Sequence, residues 1–127
     1  QALTSLGGHH SSLEGDSDDV LCLLMQMVHC PNVSLQVNYL DRKGRREIIV
    51  NTDQHTYHLD LMKHEFTRDQ EPVTSLSLKR DETYRSQHYD ILENHGKSCC
   101  SLTEGLEVLK MIDAAENSAG AQSWIIK

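Results

Sequence analysis

A short basic segment contains the residues of this chain whose types and spacing most directly suggest chemistry. Arg42, Lys43, Arg45 and Arg46 surround Gly44 in a chain whose net charge is −7. Guanidinium groups match phosphate or carboxylate oxygens two at a time, so this segment could hold an anionic ligand. A solvated turn, or an interface where the arginines meet acidic residues of a partner subunit, explains the same residues. Composition alone favours these simpler interpretations.

The histidines and cysteines are weaker candidates. His55 and His58 are three residues apart, which on a strand places them on different faces and favours two solvated histidines over a metal pair. Cys99 and Cys100 are adjacent and lack a paired cysteine elsewhere, which favours a buried thiol over a metal ligand. The sequence contains no glycine-rich nucleotide fingerprint, P-loop or nucleophile elbow. We therefore assign no catalytic, cofactor-binding or metal-binding residue.

Length and composition bound the class of protein. With 127 residues, of which 38% are hydrophobic and 24% charged, the chain is expected to form one globular domain. Its acidic balance argues against nucleic-acid binding, and no apolar run reaches the ~18–20 residues of a membrane span. The four cysteines form no CxxC pair, which indicates reduced thiols and a cytoplasmic location. Because apolar sequence follows Gln1 at once, we expect a piece of a longer polypeptide.

Strands are the elements expected to position the basic segment. Val33, Leu35, Val37 and Tyr39 alternate with polar residues, which predicts a strand with two distinct faces. The basic segment would form the turn of a hairpin whose second strand covers 46–51. Other strands are predicted at 2–6 (a short edge strand), 20–28 (a central strand that forms a hairpin, since residues 30–32 lead straight into the next strand), 56–61, 64–67, 74–79 and 123–126.

Two helices are expected late in the chain. The first covers 81–94, with Asp81 as its N-cap and a stop at 95–96. The second opens with the capping box of Ser101 and Glu104, runs to about Asn117 and is broken at 118–120. Its predicted apolar stripe consists of Leu102, Leu106, Leu109, Ile112 and Ala115. The predicted fold class is α+β, a largely antiparallel open sheet with helices on one face. The other face must meet solvent, a ligand or another chain.

Several stretches, taken in order, resemble one enzyme family. NYLDR at 38–42, RREI at 45–48 and TYHLDL at 56–61 resemble the run DYxQRxxRRxxxIxGxxGTIxxDL of the glucose–fructose oxidoreductase/inositol dehydrogenase (Gfo/Idh/MocA) family. SLTEGLEVLKMIDAAENS at 101–118 resembles the closing helix of that family, which commonly reads SLEEGLxVLxLIEAxExS. The resemblance covers nearly the whole chain in the family's order.

The resemblance implies a complete protein of two domains with different roles. Family members carry a Rossmann domain that binds NAD or NADP, followed by an α+β domain with a large open sheet. Residues 1–127 resemble the later part of that second domain, a substrate and oligomerisation domain, and no residue here matches the family's cofactor or catalytic motifs. The resemblance implies that Tyr39 and Arg42 contact substrate, and that Arg45 and Arg46 contact an anion or a subunit interface.

Two functions follow as expectations. The first is the C-terminal portion of an NAD(P)-dependent sugar or nucleotide-sugar oxidoreductase of polysaccharide biosynthesis. This portion would bind a sugar-type substrate and form a homo-oligomer through its open sheet face. The parent protein would be an enzyme, while this portion alone would be inactive and bind no cofactor. The alternative is a stand-alone, self-associating interaction module without catalytic activity. A third idea, weaker than both, is an anion-binding domain that uses the arginines.

Overall fold

The computed structural model describes residues 2–15, 17–75, 77–79 and 81–126. Along the chain these residues form strands and helices in the order β1 (Ala2–Gly8), β2 (Val20–Gln26), β3 (Val33–Asn38), β4 (Glu47–Asn51), β5 (Thr56–Asp60), β6 (Glu65–Arg68), β7 (Glu71–Ser75), α1 (Glu82–Glu93), α2 (Leu102–Ala121) and β8 (Ile125–Ile126). They divide into two compact units: a first unit of Gln1–Leu40 with Cys100–Lys127, and a second unit of Asp41–Cys99. The predicted α+β class is confirmed.

The first unit is an antiparallel sheet in the order β3-β2-β1-β8. Leu3 pairs with Met25, and residues two apart on a strand share a face, so Leu23 lies beside them. These three side chains are buried together with Ala114 and Ala115 of α2. Strand β2 is central, as predicted, but β1 is not an edge strand, because β8 pairs with its other side.

Buried hydroxyl groups form hydrogen bonds between α2 and the sheet. Strand β8 pairs with β1 only at Ala2 and Leu3, so it cannot accept the backbone N–H of Ser5. The Ser118 hydroxyl accepts that N–H at 3.0 Å, and the Ser5 hydroxyl donates to the carbonyl of Ala115. Ser118 is 0% exposed and also donates to the carbonyl of Ser123. Small side chains at these positions let the helix approach the sheet closely.

Helix α2 confirms one prediction and corrects two. The capping box is present: the Ser101 hydroxyl accepts the backbone N–H of Glu104 at 3.2 Å, and the Glu104 carboxylate accepts that of Ser101 at 2.8 Å. The predicted break at 118–120 is wrong, because the helix continues to Ala121. The predicted apolar stripe is also wrong except at Ala115. Its four large members are 47–81% exposed, at Leu102, Leu106, Leu109 and Ile112, and the buried face consists of Ala114, Ala115 and Ser118.

The second unit is built on an antiparallel sheet in the order β4-β5-β6-β7. Its register aligns Ile48 with Leu59 and Leu59 with Phe66 on one face, where the Phe66 ring stacks on Tyr57 at 6.0 Å. Among the described residues of this unit, only Asp60 and Asp90 are buried. Strand β7 begins at Glu71, earlier than predicted, because Asp69 and Gln70 complete the turn with positive φ.

The predicted hairpin of residues 33–51 is wrong. Strand β3 pairs with β2, whereas β4 pairs with β5 through a tight turn in which the Thr52 N–H donates to the His55 carbonyl at 2.9 Å. Strand β2 is apolar on both faces and lies closer to β3 along the chain than β4 does. Strand β5 follows β4 after a short turn. Strands β3 and β4 therefore each pair with a nearer strand. The described residues therefore form two four-stranded sheets instead of the predicted single open sheet.

Helix α1 covers little of the second unit. Its predicted end at Asn94 is confirmed, and the carbonyl of Asp90 accepts the N–H groups of Asn94 and Gly96. Asp81 is not an N-cap in the predicted sense, because it has a φ of 65° and its side chain makes no capping bond. The large apolar side chains of α1 are 51–75% exposed, at Tyr84, Tyr89, Ile91 and Leu92. Neither described helix is long and apolar enough to span a bilayer.

Candidate functional site

The basic segment lies in the exposed connection between β3 and β4. Arg45 donates to Asp41 at 3.4 Å, and both side chains are exposed, so this pair contributes at most about 1 kcal/mol. Arg42, Lys43 and Arg46 are exposed and pair with no carboxylate among the described residues. This geometry leaves the guanidinium groups accessible to an anion or a partner. Neither role of Arg45 and Arg46 is tested, and both stay predictions.

Tyr39, the other predicted substrate residue, follows β3 directly. Its backbone N–H donates to the carbonyl of Asp19 at 2.9 Å, and its side chain is exposed. Asp19 is itself buried, where its carboxylate accepts the hydroxyl of Ser11 and the N–H groups of His10 and Ser11. The Ser11 hydroxyl is the largest influence lowering the pKa of Asp19. The backbone of Tyr39 is thus anchored, while its phenol faces solvent.

A cavity of about 410 Å³ lies on the first unit where the β2–β3 hairpin meets the residue before β8. Its wall contains Leu24 and Ser34, which are paired across the two strands, and the half-exposed ring of Trp124. The remaining lining residues are Met25, Gln26, Pro31, Asn32 and Val33. This cavity combines an aromatic ring with amide and hydroxyl side chains, and none of its described lining residues is charged.

Sequence reasoning missed this cavity. The sequence pattern predicts a final strand at Trp124 and a link between strands at residues 31–32, and neither prediction indicates a cavity. The available signal was the position of the chain's only tryptophan directly before the apolar pair Ile125–Ile126. Three separate segments form the cavity, so local spacing could not reveal it.

A second group of polar side chains shares one face of the second sheet. Glu47 pairs with Asp60 and Ile49 with His58 across β4 and β5, which places both carboxylates and the imidazole on that face. His58 Nε2 lies 3.4 Å from Glu47 Oε2 without the alignment of a hydrogen bond. Lys63 donates to Asp60 at 2.7 Å, and this bond is the main reason that the pKa of Asp60 falls to about 2. The pKa of Lys63 is raised in turn by Asp60.

His55 lies on the other face and has a carboxylate partner. Its Nδ1 is 2.6 Å from Asp69 Oδ2, while Asp69 Oδ1 accepts the backbone N–H of Thr56 at 2.9 Å. The Thr56 N–H, followed by His55, lowers the pKa of Asp69. His55 and His58 do point to different faces, but each lies close to a carboxylate. Within the described ranges, no group of three or more His, Cys, Asp and Glu side chains could hold a metal ion.

The four cysteines are free thiols. Cys99 is half-buried, and its burial, followed by the neighbouring carboxylate of Asp90, raises the pKa of the thiol. A raised pKa keeps the thiol protonated and weakly nucleophilic. Asp90 instead has a lowered pKa, chiefly because it accepts the Ser98 N–H at 2.9 Å. The bond between Asp90 and Ser98 holds the loop after α1 against the end of that helix. The Cys99 thiol in this loop is not an activated nucleophile.

Comparison of the chain with models of known families, with curated proteins and with solved structures finds no match.

Proposed function

We propose that this chain is the C-terminal substrate and oligomerisation portion of an NAD(P)-dependent sugar or nucleotide-sugar oxidoreductase of the Gfo/Idh/MocA type, in a cytoplasmic pathway of polysaccharide biosynthesis. The complete enzyme transfers hydride between nicotinamide and a sugar carbinol or ketone. Its cofactor, NAD or NADP, is bound by a Rossmann domain outside this chain. The portion described here binds no cofactor and supplies surface for the sugar and for a second subunit.

One observation carries the proposal: helix α2 covers one face of the first sheet, and the opposite face is uncovered. On that face Leu6 is 67% exposed and Leu24 is 54% exposed, beside the cavity at Trp124. An uncovered apolar sheet face bordered by a cavity of mixed apolar and polar side chains suits a surface that meets a ligand or a second subunit. The motif resemblance at 38–61 and 101–118 supports the same assignment.

The proposed roles of individual residues follow from exposure and charge. Tyr39 and Arg42 contact the sugar, since both side chains are accessible and the guanidinium can donate to hydroxyl or phosphate oxygens. Arg45 and Arg46 contact an anionic group of a nucleotide sugar or an acidic patch of the partner subunit. Neither role requires a catalytic group in this chain.

Two measurements test the proposal. We expect the coding sequence upstream of this chain to encode a dinucleotide-binding fold, and the purified chain alone to give no nicotinamide reduction with any sugar. In the complete enzyme, Arg42→Ala should raise KM for the sugar several-fold with little change in kcat, and Lys43→Ala serves as the matched exposed control. Nicotinamide reduction by the chain alone, or an upstream sequence without a dinucleotide fold, contradicts the proposal.

A self-associating interaction module is the second candidate, favoured by the amount of exposed apolar side chain. Strand β4 lies at the edge of its sheet and exposes Ile48, Ile49 and Val50, a composition typical of strands that pair with another chain. This candidate predicts a gene that begins near Gln1 and a purified chain that dimerises without ligand. Sedimentation of the chain at several concentrations, read together with the upstream sequence, distinguishes it from the oxidoreductase proposal.

A further inference from the structure

We propose that the cavity beside Trp124 is a binding site for a neutral sugar ring, which stacks on the indole and bonds to the polar side chains around it. The choice of a sugar among small neutral ligands rests on the proposed function. The site itself rests on the geometry and chemistry of its lining residues. It is separate from the proposed sugar contact at Tyr39 and Arg42, neither of which lines the cavity.

The indole of Trp124 provides a flat apolar surface on which a sugar ring can stack. Trp124 is 54% exposed although it lies between a helix and a strand that both pack on the core. No other aromatic ring in the described part of the chain stacks on it. One face of a pyranose ring carries mainly C–H groups, and such a face can cover a flat aromatic surface and remove both from water. An uncovered indole at the wall of a cavity is therefore suited to a sugar ring.

Three polar side chains line the cavity together with the indole. Gln26 and Ser34 lie on the uncovered face of the sheet, because Ser34 pairs with Leu24 and Gln26 is two residues further along β2. Asn32 lies in the turn that joins the two strands. None of these side chains makes a hydrogen bond to another described residue. Two amides and a hydroxyl offer both donors and acceptors, as sugar hydroxyls require.

The chemistry of the described lining residues favours a neutral ligand. These residues, none of which is charged, are Leu24, Met25, Gln26, Pro31, Asn32, Val33, Ser34 and Trp124. A phosphate or carboxylate placed among them would lose water without gaining a positive partner, which is costly. A neutral sugar loses less, because its hydroxyls exchange water for the amides. The volume of about 410 Å³ lies at the small end of the ~300–1,000 Å³ range of ligand sites.

Fluorescence of the purified chain tests the site directly, since Trp124 is the only tryptophan. We expect glucose and N-acetylglucosamine to change its emission saturably with a Kd of about 1 mM, a typical weak affinity for a shallow site. Glucuronate, which has the same ring with a negative charge, should bind at least several-fold more weakly. Glycerol, which has hydroxyls but no ring, should leave the emission unchanged.

Variants assign the effect to the cavity, with binding measured by calorimetry so that loss of the fluorophore does not matter. Gln26→Ala and Ser34→Ala should each weaken binding about three- to tenfold, the effect of losing one hydrogen bond. Gln36→Ala is the matched control, because Gln36 lies on the same face of β3 but outside the cavity. Trp124→Phe should retain weak binding, and Trp124→Ala should abolish it.

The outcomes separate this inference from the proposed function. Unchanged emission at saturating sugar, equal binding of glucuronate, or equal loss in Gln36→Ala overturns the sugar site. A change in emission that follows protein concentration instead of sugar shows that a second copy covers Trp124, and this also overturns the site. Sugar binding by the chain combined with an upstream sequence lacking a dinucleotide fold retains the site and rejects the oxidoreductase.

Discussion

The two units of the chain have sheets of the same size but different interiors. In the first unit, α2 covers the sheet and buries Leu3, Leu23 and Met25 against Ala114 and Ala115. In the described part of the second unit, the only buried residues are the carboxylates Asp60 and Asp90. Strand pairing alone therefore does not create a core. A covering helix does, and α1 leaves its large apolar residues exposed.

This difference predicts different sources of stability. Apolar burial and the Ser5–Ser118 bonds, which do not depend on pH, contribute most to the stability of the first unit, although Asp19 and Glu104 of this unit also have lowered pKa values. Bonds to carboxylates close the turns of the second unit, where Asp60, Asp69 and Asp90 all have lowered pKa values. Trp124 belongs to the first unit, so tryptophan fluorescence follows the unfolding of that unit selectively.

The largest effect is expected from Leu23→Ala. Leu23 is 6% exposed in the core of the first unit, and truncating a buried leucine costs about 2–5 kcal/mol. Leu24→Ala changes the next residue, which is on the uncovered face, and should cost about 0.5 kcal/mol or less. Urea unfolding followed by tryptophan fluorescence measures both variants. Equal losses for the two leucines would show that the first unit has no distinct core face.

Ser118→Ala tests the polar connection between α2 and the sheet. It leaves the buried Ser5 N–H without a partner and removes a part-buried bond to the Ser123 carbonyl, so we expect a loss of about 1–3 kcal/mol. The Ser5 amide should exchange its hydrogen faster in this variant. Ser12→Ala, at an exposed loop position, should change neither quantity. Unaltered exchange at Ser5 would mean that Ser118 does not hold this strand.

Ser101→Ala removes the capping box of α2, with a smaller expected effect. The Ser101 hydroxyl accepts the Glu104 N–H, and loss of such a cap costs about 0.5–2 kcal/mol. Because only α2 covers the first sheet, the loss should appear in tryptophan-detected unfolding. Thr103→Ala, within the same helical turn but not in the capping box, should cost less. A larger loss in Thr103→Ala than in Ser101→Ala would contradict the assigned cap.

Local signals predicted much of the fold, whereas partner choice required the structure. The capping box and the strands near 20–26 and 56–60 could be read from sequence because their signals lie within a few residues. The turn residues at 30–32 indicated the hairpin of β2 with β3, which the structure confirms. Gly44 also suggested a hairpin of β3 with β4, and no local pattern shows that this second pairing does not form. The apolar stripe of α2 was misassigned because the sheet contacts small residues, so the large leucines marked the wrong face.

The two candidate sites also differ in how far the sequence predicts them. The arginines of the basic segment are consecutive or nearly so, and their exposure could be expected from charge alone. The cavity at Trp124 joins residues 24–26, 31–34 and 124, which come from both sides of β1 in the strand order. Such a site depends on strand order, which the sequence pattern did not provide.

The smallest expected effect concerns pH and the second unit. The pKa of Asp60 is about 2 in the folded chain against an ordinary 3.8, because Lys63 and nearby N–H groups stabilise its charged form. The lowered pKa means that Asp60 contributes stability above about pH 3.8, and that this contribution is lost as pH falls through about 2. The effect is small because Lys63 is 63% exposed and its pair with Asp60 is screened by solvent.

Carboxyl NMR titration of the chain measures this directly. We expect Asp60 to titrate near 2 in the unmodified chain and closer to 3.8 in Lys63→Met, which keeps the apolar stem but removes the ammonium group. Asp60→Asn should make the stability of the second unit depend less on pH in acid. Asp53→Asn should leave that pH dependence unchanged, because the Asp53 carboxylate makes no bond to another described residue. Lys63→Met and Asp60→Asn should not shift the pH at which tryptophan fluorescence changes, because any acid dependence of the first unit comes from Asp19 and Glu104. A shift of that pH in Lys63→Met would show that the two units unfold as one, and that the contrast between their interiors does not divide their stability.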